Sequence, residues 1–424
     1  MEKIGVTRNQ KGMTMSGIVL SASVRQNLLS LQSTADLLST TQNRLATGNK
    51  VNSALDNPTN FFTAQGLNNR ASDINNLLDS IGNGVQVLQA ANTGITSLQK
   101  LVDTAKSIAN QVLQAPTGYS VKASATSLAP TAGTEGTAAD LTKAGTNSLQ
   151  AKTFIFTPAT GAATTITISN VVAAGNVNSI DAFNAALTSA GLGLSASLAS
   201  DGSITLTSTN ENASQSLTIG ATAAANTIAI SGTDTATLVT PTGGAAGKPL
   251  ADAASQDVRK SLVNQYNNII TQISTTAQDS SFNGINLLFG DNLKLTFDET
   301  GKSTLNVTGV TFDAAGLGLG ALTAGTDFLD NSSANKALTL LSSASTVLRT
   351  EASALGSNLS VVQLRQDFNK SLINVLQTGA TNLTLADANE EAANSQALST
   401  RQSIAVSALA LANQSQQGVL QLLR

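Results

Sequence analysis

Residues 24–49 read VRQNLLSLQSTADLLSTTQNRLATGN, and their apolar positions step by four and three: Val24, Leu28, Leu31, Ala35, Leu38, then Gln42 and Leu45. That spacing draws one narrow stripe along a helix, the pattern of a coiled coil. Thr47-Gly48-Asn49 closes it, because Gly48 can take the left-handed conformation that ends a helix. A narrow stripe needs partner helices, so the reading of this stretch decides the fold class, and the rest of the chain supplies candidates.

A second stripe runs through Ile74, Leu78, Ile81, Val85, Leu88, Asn92 and Ile95, and resumes in shifted phase at Leu98, Val102, Ala105, Ala109 and Val112. The successive three-residue steps at Asn92, Ile95 and Leu98 amount to a stammer, which overwinds a coiled coil locally. Between the two stripes, KVNSALDNPTNFFTAQGL (residues 50–67) carries turn chemistry around Asn57-Pro58 and reads as an ordered connector. A third helix is expected through Val258, Leu262, Tyr266, Ile269 and Ile273. In the longest, Leu348, Leu355, Val362, Asn369 and Leu376 recur every seven residues, interleaved with Ala352, Leu359, Gln366 and Ile373. Helical from about Asn335 to Gln377, it would extend ~65 Å at ~1.5 Å per residue and implies an elongated rod.

The last helical segment, Leu398 to Leu423, is rich in Ala and has apolar residues at Ile404, Ala408, Leu411 and Leu422. It runs into ANQSQQGVLQLLR (412–424), where Val419, Leu420, Leu422 and Leu423 need a cover, since ordering a chain end costs entropy that burial must offset. The first and last helices therefore both present seams that want a partner. Burying ~20 apolar side chains against neighbouring copies, at ~1.5–3 kcal/mol each before entropy, makes assembly the natural sink for that surface.

Two inserts interrupt the helices. In residues 281–310, Leu293, Leu295 and Phe297 alternate, a turn falls near Thr300-Gly301, and the chain returns through Leu305 and Val307, as a β-hairpin does. From Pro116 to about Pro249 the composition turns to Thr, Ala, Gly and Ser, with alternating runs TTITIS, GSITLTS and NTIAIS and one helix near SIDAFNAALTSAG. This is a separate strand-rich domain with linkers at both prolines.

Composition narrows the function classes. Cys, His and Trp are absent, and charged residues are 12% of the chain, against about 25% in an average protein. The polar faces are therefore amides and hydroxyls, which approach one another without desolvating charge. Disulfides, thiol catalysis and Cys-based metal sites are excluded, and no imidazole can act as a base near neutral pH. A net charge of -3 gives no broad basic surface for nucleic acid or anionic lipid, and no stretch approaches a membrane span. The N-terminus lacks the pattern of a cleaved secretory signal.

The chemical candidates are weak. GGAAGKP (243–249) fails as a phosphate loop, because Thr242 stands at the first glycine position and Pro249 where Ser or Thr must hold magnesium. GLGLG (316–320) lacks the strand, helix and acidic residue of a dinucleotide site. Asp387, Glu390 and Glu391 read as the start of the last helix, where negative charge suits the helix dipole, rather than as an acid–base pair. No enzyme, cofactor or metal is expected.

The stretches SGIVLSASVRQNLLSLQSTADLLSTTQNRLATGNKVNSALDNPTNFFTAQGLNNRASDINN, GVQVLQAANTGITSLQKLVDTAKSIANQVL, DSSFNGINLLFG and NLTLADANEEAANSQALSTRQSIAVSALALANQSQQGVLQLLR resemble bacterial flagellin, of the alphaproteobacterial style. The resemblance covers Ser16 to about Gln114 and Asp257 to Arg424. It implies a mainly α fold, an elongated coiled-coil rod with a β-hairpin and an inserted β-rich (α+β) outer domain. It divides the chain into an N-terminal extension (1–15), terminal helices forming an inner coiled-coil layer (16–49 and 387–424), a tube domain (50–115 and 250–386) and a variable, surface-exposed domain (116–249).

The resemblance further implies a subunit that polymerises with its own copies into the flagellar filament for swimming motility. It would be exported through the type III apparatus without a cleaved signal, would lie outside the cell, and would meet an export chaperone, a cap protein and hook-junction proteins. Its polymerisation interface would include Val24, Leu28, Leu31, Leu38, Leu45, Ile404, Leu411, Val419, Leu420, Leu422 and Leu423. A hook–filament junction protein and a surface adhesin are the alternatives. Met1 to Thr14 precede the family's usual start, so Met1, Met13 and Met15 are all candidate first residues. In LQKLVDTAKSIANQ, which corresponds to the stretch recognised by the innate receptor TLR5 in some flagellins, Lys100 and Asp103 keep charge type while Thr104 replaces an apolar residue, implying weak recognition.

Overall fold

The computed structural model describes residues 22–127, 129–130, 135–144, 148–171, 173–220, 227–232, 238–242 and 248–422, and it is 56% helical. In chain order the elements begin with α1 (Ala22–Thr47), α2 (Pro58–Gln114), β1 (Tyr119–Val121), β2 (Ser124–Ser127), β3 (Thr153–Pro158), β4 (Thr164–Ile168) and β5 (Asn176–Val177). There follow α3 (Ile180–Ser189), β6 (Leu194–Leu198), β7 (Ile204–Ser208), β8 (Ser216–Ile219), β9 (Thr227–Gly232), β10 (Leu238–Thr242) and β11 (Leu250–Ala251). The chain then enters α4 (Ala253–Asp279), β12 (Leu293–Thr296), β13 (Thr304–Val307), α5 (Asn331–Thr384) and α6 (Ala388–Leu422).

These elements form two compact units. The first gathers the described residues up to Ser80, the tip Phe297–Ser303, and the chain from Arg365 onward. The second holds Ile81–Thr296 and Thr304–Leu364, so α2 and α5 each contribute to both.

Within the first unit, Ala71, Ile74, Ile373 and Leu376 form a small apolar core between α2 and α5, with Leu67, Leu78 and Leu372 against it. The hairpin tip is bound to the same pair of helices. Buried Asn369 donates from Nδ2 to the Phe297 carbonyl at 2.9 Å, the Arg365 guanidinium lies 5.9 Å from the Phe297 ring centroid, and Arg70 Nε meets Glu299 Oε1 at 2.6 Å. The start of α2 explains itself locally: Asn57 caps it through Oδ1, accepting from Asn60 N–H at 3.0 Å, and Pro58 occupies the first helical position, where no N–H is missed.

In the second unit Arg259 of α4 is the largest fully buried side chain. Its guanidinium sits in a cage of acceptors: Nε donates to Pro116 O at 2.6 Å, Nη1 to Phe328 O at 2.6 Å, and Nη2 to Val112 O at 3.0 Å and Ala115 O at 2.9 Å. Nη2 also reaches Asn331 Oδ1 at 3.2 Å. The guanidinium thus satisfies the orphan carbonyls at the end of α2 and supplies positive charge where the helix dipole favours it. Burial pulls its pKa below the ordinary arginine value. Next to it Tyr266 meets Phe328 edge-on at 5.8 Å, and burial pushes the phenol up to about 12.

The inserted module leaves this base where α2 ends and returns where α4 begins. Its two ends run side by side as β1 and β11, antiparallel, and Asp252 N–H donates to Gly118 O at 2.9 Å. Beyond that pair, one sheet has the order β10-β2-β7-β6 and is antiparallel throughout; the other, β5-β4-β3-β9-β8, is mixed. One core joins both sheets and α3: Phe154, Phe156, Ile166 and Ile230 from one side, Ile204 and Leu206 from the other, and Phe183 between them. Phe183 meets Phe154 edge-on at 5.4 Å and Phe156 at 6.3 Å.

Most of the expected pattern is present. Ile74, Ile81, Leu88, Ile95, Leu98, Val102, Ala105, Ala109 and Val112 are buried along α2, and Leu348, Leu355, Val362, Asn369 and Leu376 along α5. The hairpin turns at Gly301, φ +72°, with Leu293 opposite Val307 and Leu295 opposite Leu305. TTITIS, GSITLTS and NTIAIS supply β4, β7 and β9, and the helix expected near SIDAFNAALTSAG is α3.

Some positions differ. The connector is shorter than expected, because the cap at Asn57 starts the helix and carries Phe61 and Phe62 into α2. Val258 is exposed, and Arg259 takes the inward place, since only a long donor-rich side chain can satisfy the carbonyls gathered there. GLGLG is a loop whose Leu317 and Leu319 are buried as packing residues. Residues 1–21, most of GGAAGKP, the side chains of Val419, Leu420 and Leu422, and Leu423 itself lie outside the described residues.

Candidate assembly surface

Helices α1 and α6 belong to the first unit and pack against each other antiparallel. The chain is pinned where they approach: Lys50 N–H donates to Thr384 O at 2.6 Å, Ala386 N–H to Gly48 O at 2.9 Å, and Asn49 bridges Leu385. Gly48 has φ +70°, the left-handed turn that ends α1 and allows this approach. Asp387 caps α6 by accepting from Asn389 N–H at 2.9 Å and Glu390 N–H at 3.3 Å. Glu391, nearly buried, receives Arg44 Nη1 at 3.2 Å. The acidic cluster is therefore spent on starting a helix and fixing its register against α1.

The contact stripes alternate apolar residues with polar and small ones. On α1 the inward positions are Val24, Asn27, Leu31, Thr34, Leu38, Thr41 and Arg44; on α6 they are Glu391, Ser395, Leu398, Gln402, Ala405, Leu409 and Ala412, stepping by four and three. Three of the expected interface residues, Val24, Leu31 and Leu38, thus face the partner helix within the chain. Leu28 and Leu45 do not: both are exposed, and Asn27, Thr34 and Thr41 hold the places assigned to Leu28, Ala35 and Gln42. The observed seam keeps Val24, Leu31 and Leu38 of the expected stripe and differs by one residue at the positions between them, on the side where Arg44 meets Glu391.

Other large apolar side chains are left outside. Leu29 is 66% exposed, Ile404 63% and Leu411 68%, and Leu37 and Val406 are more than half exposed. This outer set is uncovered among the described residues. Among the described residues of α1 and α6, Val24 is the one apolar side chain that is fully buried.

Helix α5 carries a further exposed series that the sequence reading passed over. In the second unit its outer face presents Leu340, Val347, Val361 and Leu364; in the first unit it presents Phe368 and Val375. All but Leu364 follow the same seven-residue spacing as the buried seam, one position ahead of it. The signal was legible as a second heptad register. On α2, Lys100, Asp103 and Thr104 are exposed on one face, with Thr104 Oγ1 turned back onto Lys100 O at 2.9 Å. Among the described residues no helix is long and apolar enough to cross a membrane.

Comparison with known proteins locates these features. Residues 19–129 match the bacterial flagellin N-terminal helical region and residues 338–423 the bacterial flagellin C-terminal helical region. Flagellin FljM of Caulobacter vibrioides is 32% identical over 167 residues, 38% of this chain and 59% of that protein. Flagellin FljK of the same bacterium is 31% identical over the same shares. Flagellin A of Rhizobium meliloti strain 1021 is 39% identical over 79 residues, 19% of this chain and 20% of that protein. The chain thus spans 59% of the length of the two Caulobacter relatives.

Proposed function

The chain belongs to the bacterial flagellin family by both of its ends, of the alphaproteobacterial type, and on that premise we propose that it is a structural subunit that polymerises into a flagellar filament for swimming. The observation that carries this reading is the exposure of Leu29, Leu37, Ile404, Val406 and Leu411 on the two terminal helices. An isolated helix pair gains most of its stability from packing, and here the packing is incomplete. Further copies of the chain supply the missing cover. Each large side chain so covered contributes about 1.5–3 kcal/mol.

In this reading residues 16–49 and 387–424 line the inside of the filament, 50–115 and 250–386 form its tube, and 116–249 face solvent. Val24, Leu31 and Leu38 hold α1 to α6, while Leu28, Leu45, Ile404 and Leu411, with Val419, Leu420, Leu422 and Leu423 beyond them, meet neighbouring copies. The subunit leaves the cell unfolded through the type III apparatus, with a chaperone on its C-terminal segment, and adds beneath a cap. Thr104, a hydroxyl where an apolar contact is expected, makes recognition by TLR5 weak.

Seeded polymerisation tests the proposal. Purified chain mixed with sheared filament seeds should form long tubes in electron micrographs and gain helix by circular dichroism, and both changes should vanish on deletion of 412–424. Chain that stays monomeric with seeds present would refute it.

A further inference from the structure

Among the described residues, the most exposed large apolar side chain is not on a helix. Leu55, 95% exposed, stands in the turn that joins α1 to α2, within the first unit. The turn is fixed by its neighbours on both sides. Asp56 accepts Asn52 N–H at 3.0 Å, Ser53 N–H at 2.9 Å and the Ser53 hydroxyl at 3.2 Å. Leu55 N–H itself donates to Ser53 Oγ at 3.3 Å, and the helix cap at Asn57 follows at once. The N–H groups of Asn52 and Ser53 hold the Asp56 carboxyl below the ordinary carboxylate range, so the bond acceptor at the centre of the turn stays ionised.

A leucine held out in water by a preformed turn contributes nothing to the monomer, because the turn denies it the local collapse that would cover it. For association the same rigidity is an advantage: a side chain already fixed in place loses little freedom on docking. Nor does Leu55 stand alone as scattered surface leucines do. Leu45 and Leu385 are also uncovered, Leu385 is bridged to Asn49, and Asn49 O accepts Asn52 Nδ2 at 3.1 Å, so these groups share one hydrogen-bonded junction. The turn lies along Thr40, Asn43, Arg44 and Thr47 of α1, which makes it continuous with the candidate assembly surface. We propose that Leu55 is a preformed anchor that docks on a second copy of this chain, extending the contact between copies from the terminal helices onto the turn that joins α1 to α2. The inference rests on the polymerisation reading and deepens it by naming a contact outside the helices.

Seeded elongation of the full chain tests it. Leu55→Ser should slow growth from filament seeds about tenfold, with the circular dichroism spectrum and unfolding midpoint of the monomer unchanged, and Leu55→Met should restore the rate. Asp56→Ala, which keeps the leucine but loosens its turn, should fall between them. Leu55→Cys carrying benzophenone-maleimide, mixed at low fraction with unmodified chain, should on illumination give covalent dimers in the polymer and none in the monomer. Elongation of Leu55→Ser at the unmodified rate, or a label that couples only within its own chain, would overturn this contact while polymerisation stands. Failure of the unmodified chain to elongate would instead refute the polymerisation reading, and this contact with it.

Discussion

The inserted module and the terminal helix pair draw on the same small palette of Leu, Ile, Val, Ala and hydroxyl residues, yet they use it in opposite ways. The module buries Phe154, Phe156, Phe183, Ile204, Leu206 and Ile230 almost completely in one core. The helix pair turns Thr34, Thr41 and Ala405 inward and leaves Leu29, Ile404 and Leu411 to solvent. The module has closed its own hydrophobic account, whereas the ends have not. The contrast locates stability in one region and the capacity to associate in the other.

The comparison can be broken most forcefully in the module. Phe183→Ala removes a ring packed against two others and should cost about 3–5 kcal/mol in denaturant unfolding of the monomer. A loss as small as that of a surface substitution would mean the core is not closed. Arg259→Met should cost roughly 3 kcal/mol, because the carbonyls of Val112, Ala115, Pro116 and Phe328 lose their donor. Unfolding followed through the module and the helices separately would show whether both are lost together.

A pH dependence sharpens the same contrast. Burial raises the Asp330 carboxyl above the ordinary carboxylate range, against the lowering effect of Ser214 and of Arg259, with Glu211 adding to the rise. The native state therefore keeps a proton that the unfolded chain releases, and this stabilising contribution is full below the ordinary carboxylate pKa and lost as pH rises through the raised one. Asp330→Asn, which cannot ionise, should gain stability relative to the unmodified chain as pH climbs from about 4 toward neutrality. A stability difference independent of pH would contradict the assignment.

Smaller effects belong to the ends. Glu391→Gln should weaken the α1–α6 pair by about 0.5–1 kcal/mol, less at high salt, since Arg44 is partly exposed. Smallest of all, Leu411→Ala should change monomer stability by less than about 0.5 kcal/mol, yet slow seeded polymerisation. If Leu411→Ala destabilised the monomer as Phe183→Ala does, the distinction between the two regions would fail.

How far the sequence could be read follows the same division. Where a helix has one clear stripe, as α2 and α5 do, most of the seam was legible, because burial on one side selects a single phase, although Val87, Ala91, Ile108, Leu341 and Ala344 are buried beside it. The alternating runs identified strands β4, β7 and β9, since side chains must alternate across a sheet. The phase of α1 was only partly legible: Val24, Leu31 and Leu38 fit two stripes one residue apart between them, and the polar stripe through Asn27, Thr34 and Thr41 is the one on which Arg44 meets Glu391, 347 residues away in sequence. On α6, alanines surround the helix and no stripe dominates, so Ile404 and Leu411 looked like the seam when Leu398, Ala405 and Leu409 form it. Arg259 escaped because a charged residue reads as surface until its acceptors, gathered from α2 and from the start of α5, are seen together. The crossover that sets β9 between β3 and β8 is likewise a long-range pairing with no local signal.

The chain has no cysteine, so a single introduced thiol reports on one position alone. Leu411→Cys, on the outer face of α6, and Val171→Cys, on the surface of the module and also 68% exposed, can be labelled with a maleimide before and after seeded polymerisation. Both thiols should react at similar rates in the monomer, and in the polymer Leu411→Cys should become protected while Val171→Cys stays reactive. Equal reactivity of the two positions in the polymer would contradict the claim that further copies of the chain cover the terminal helices.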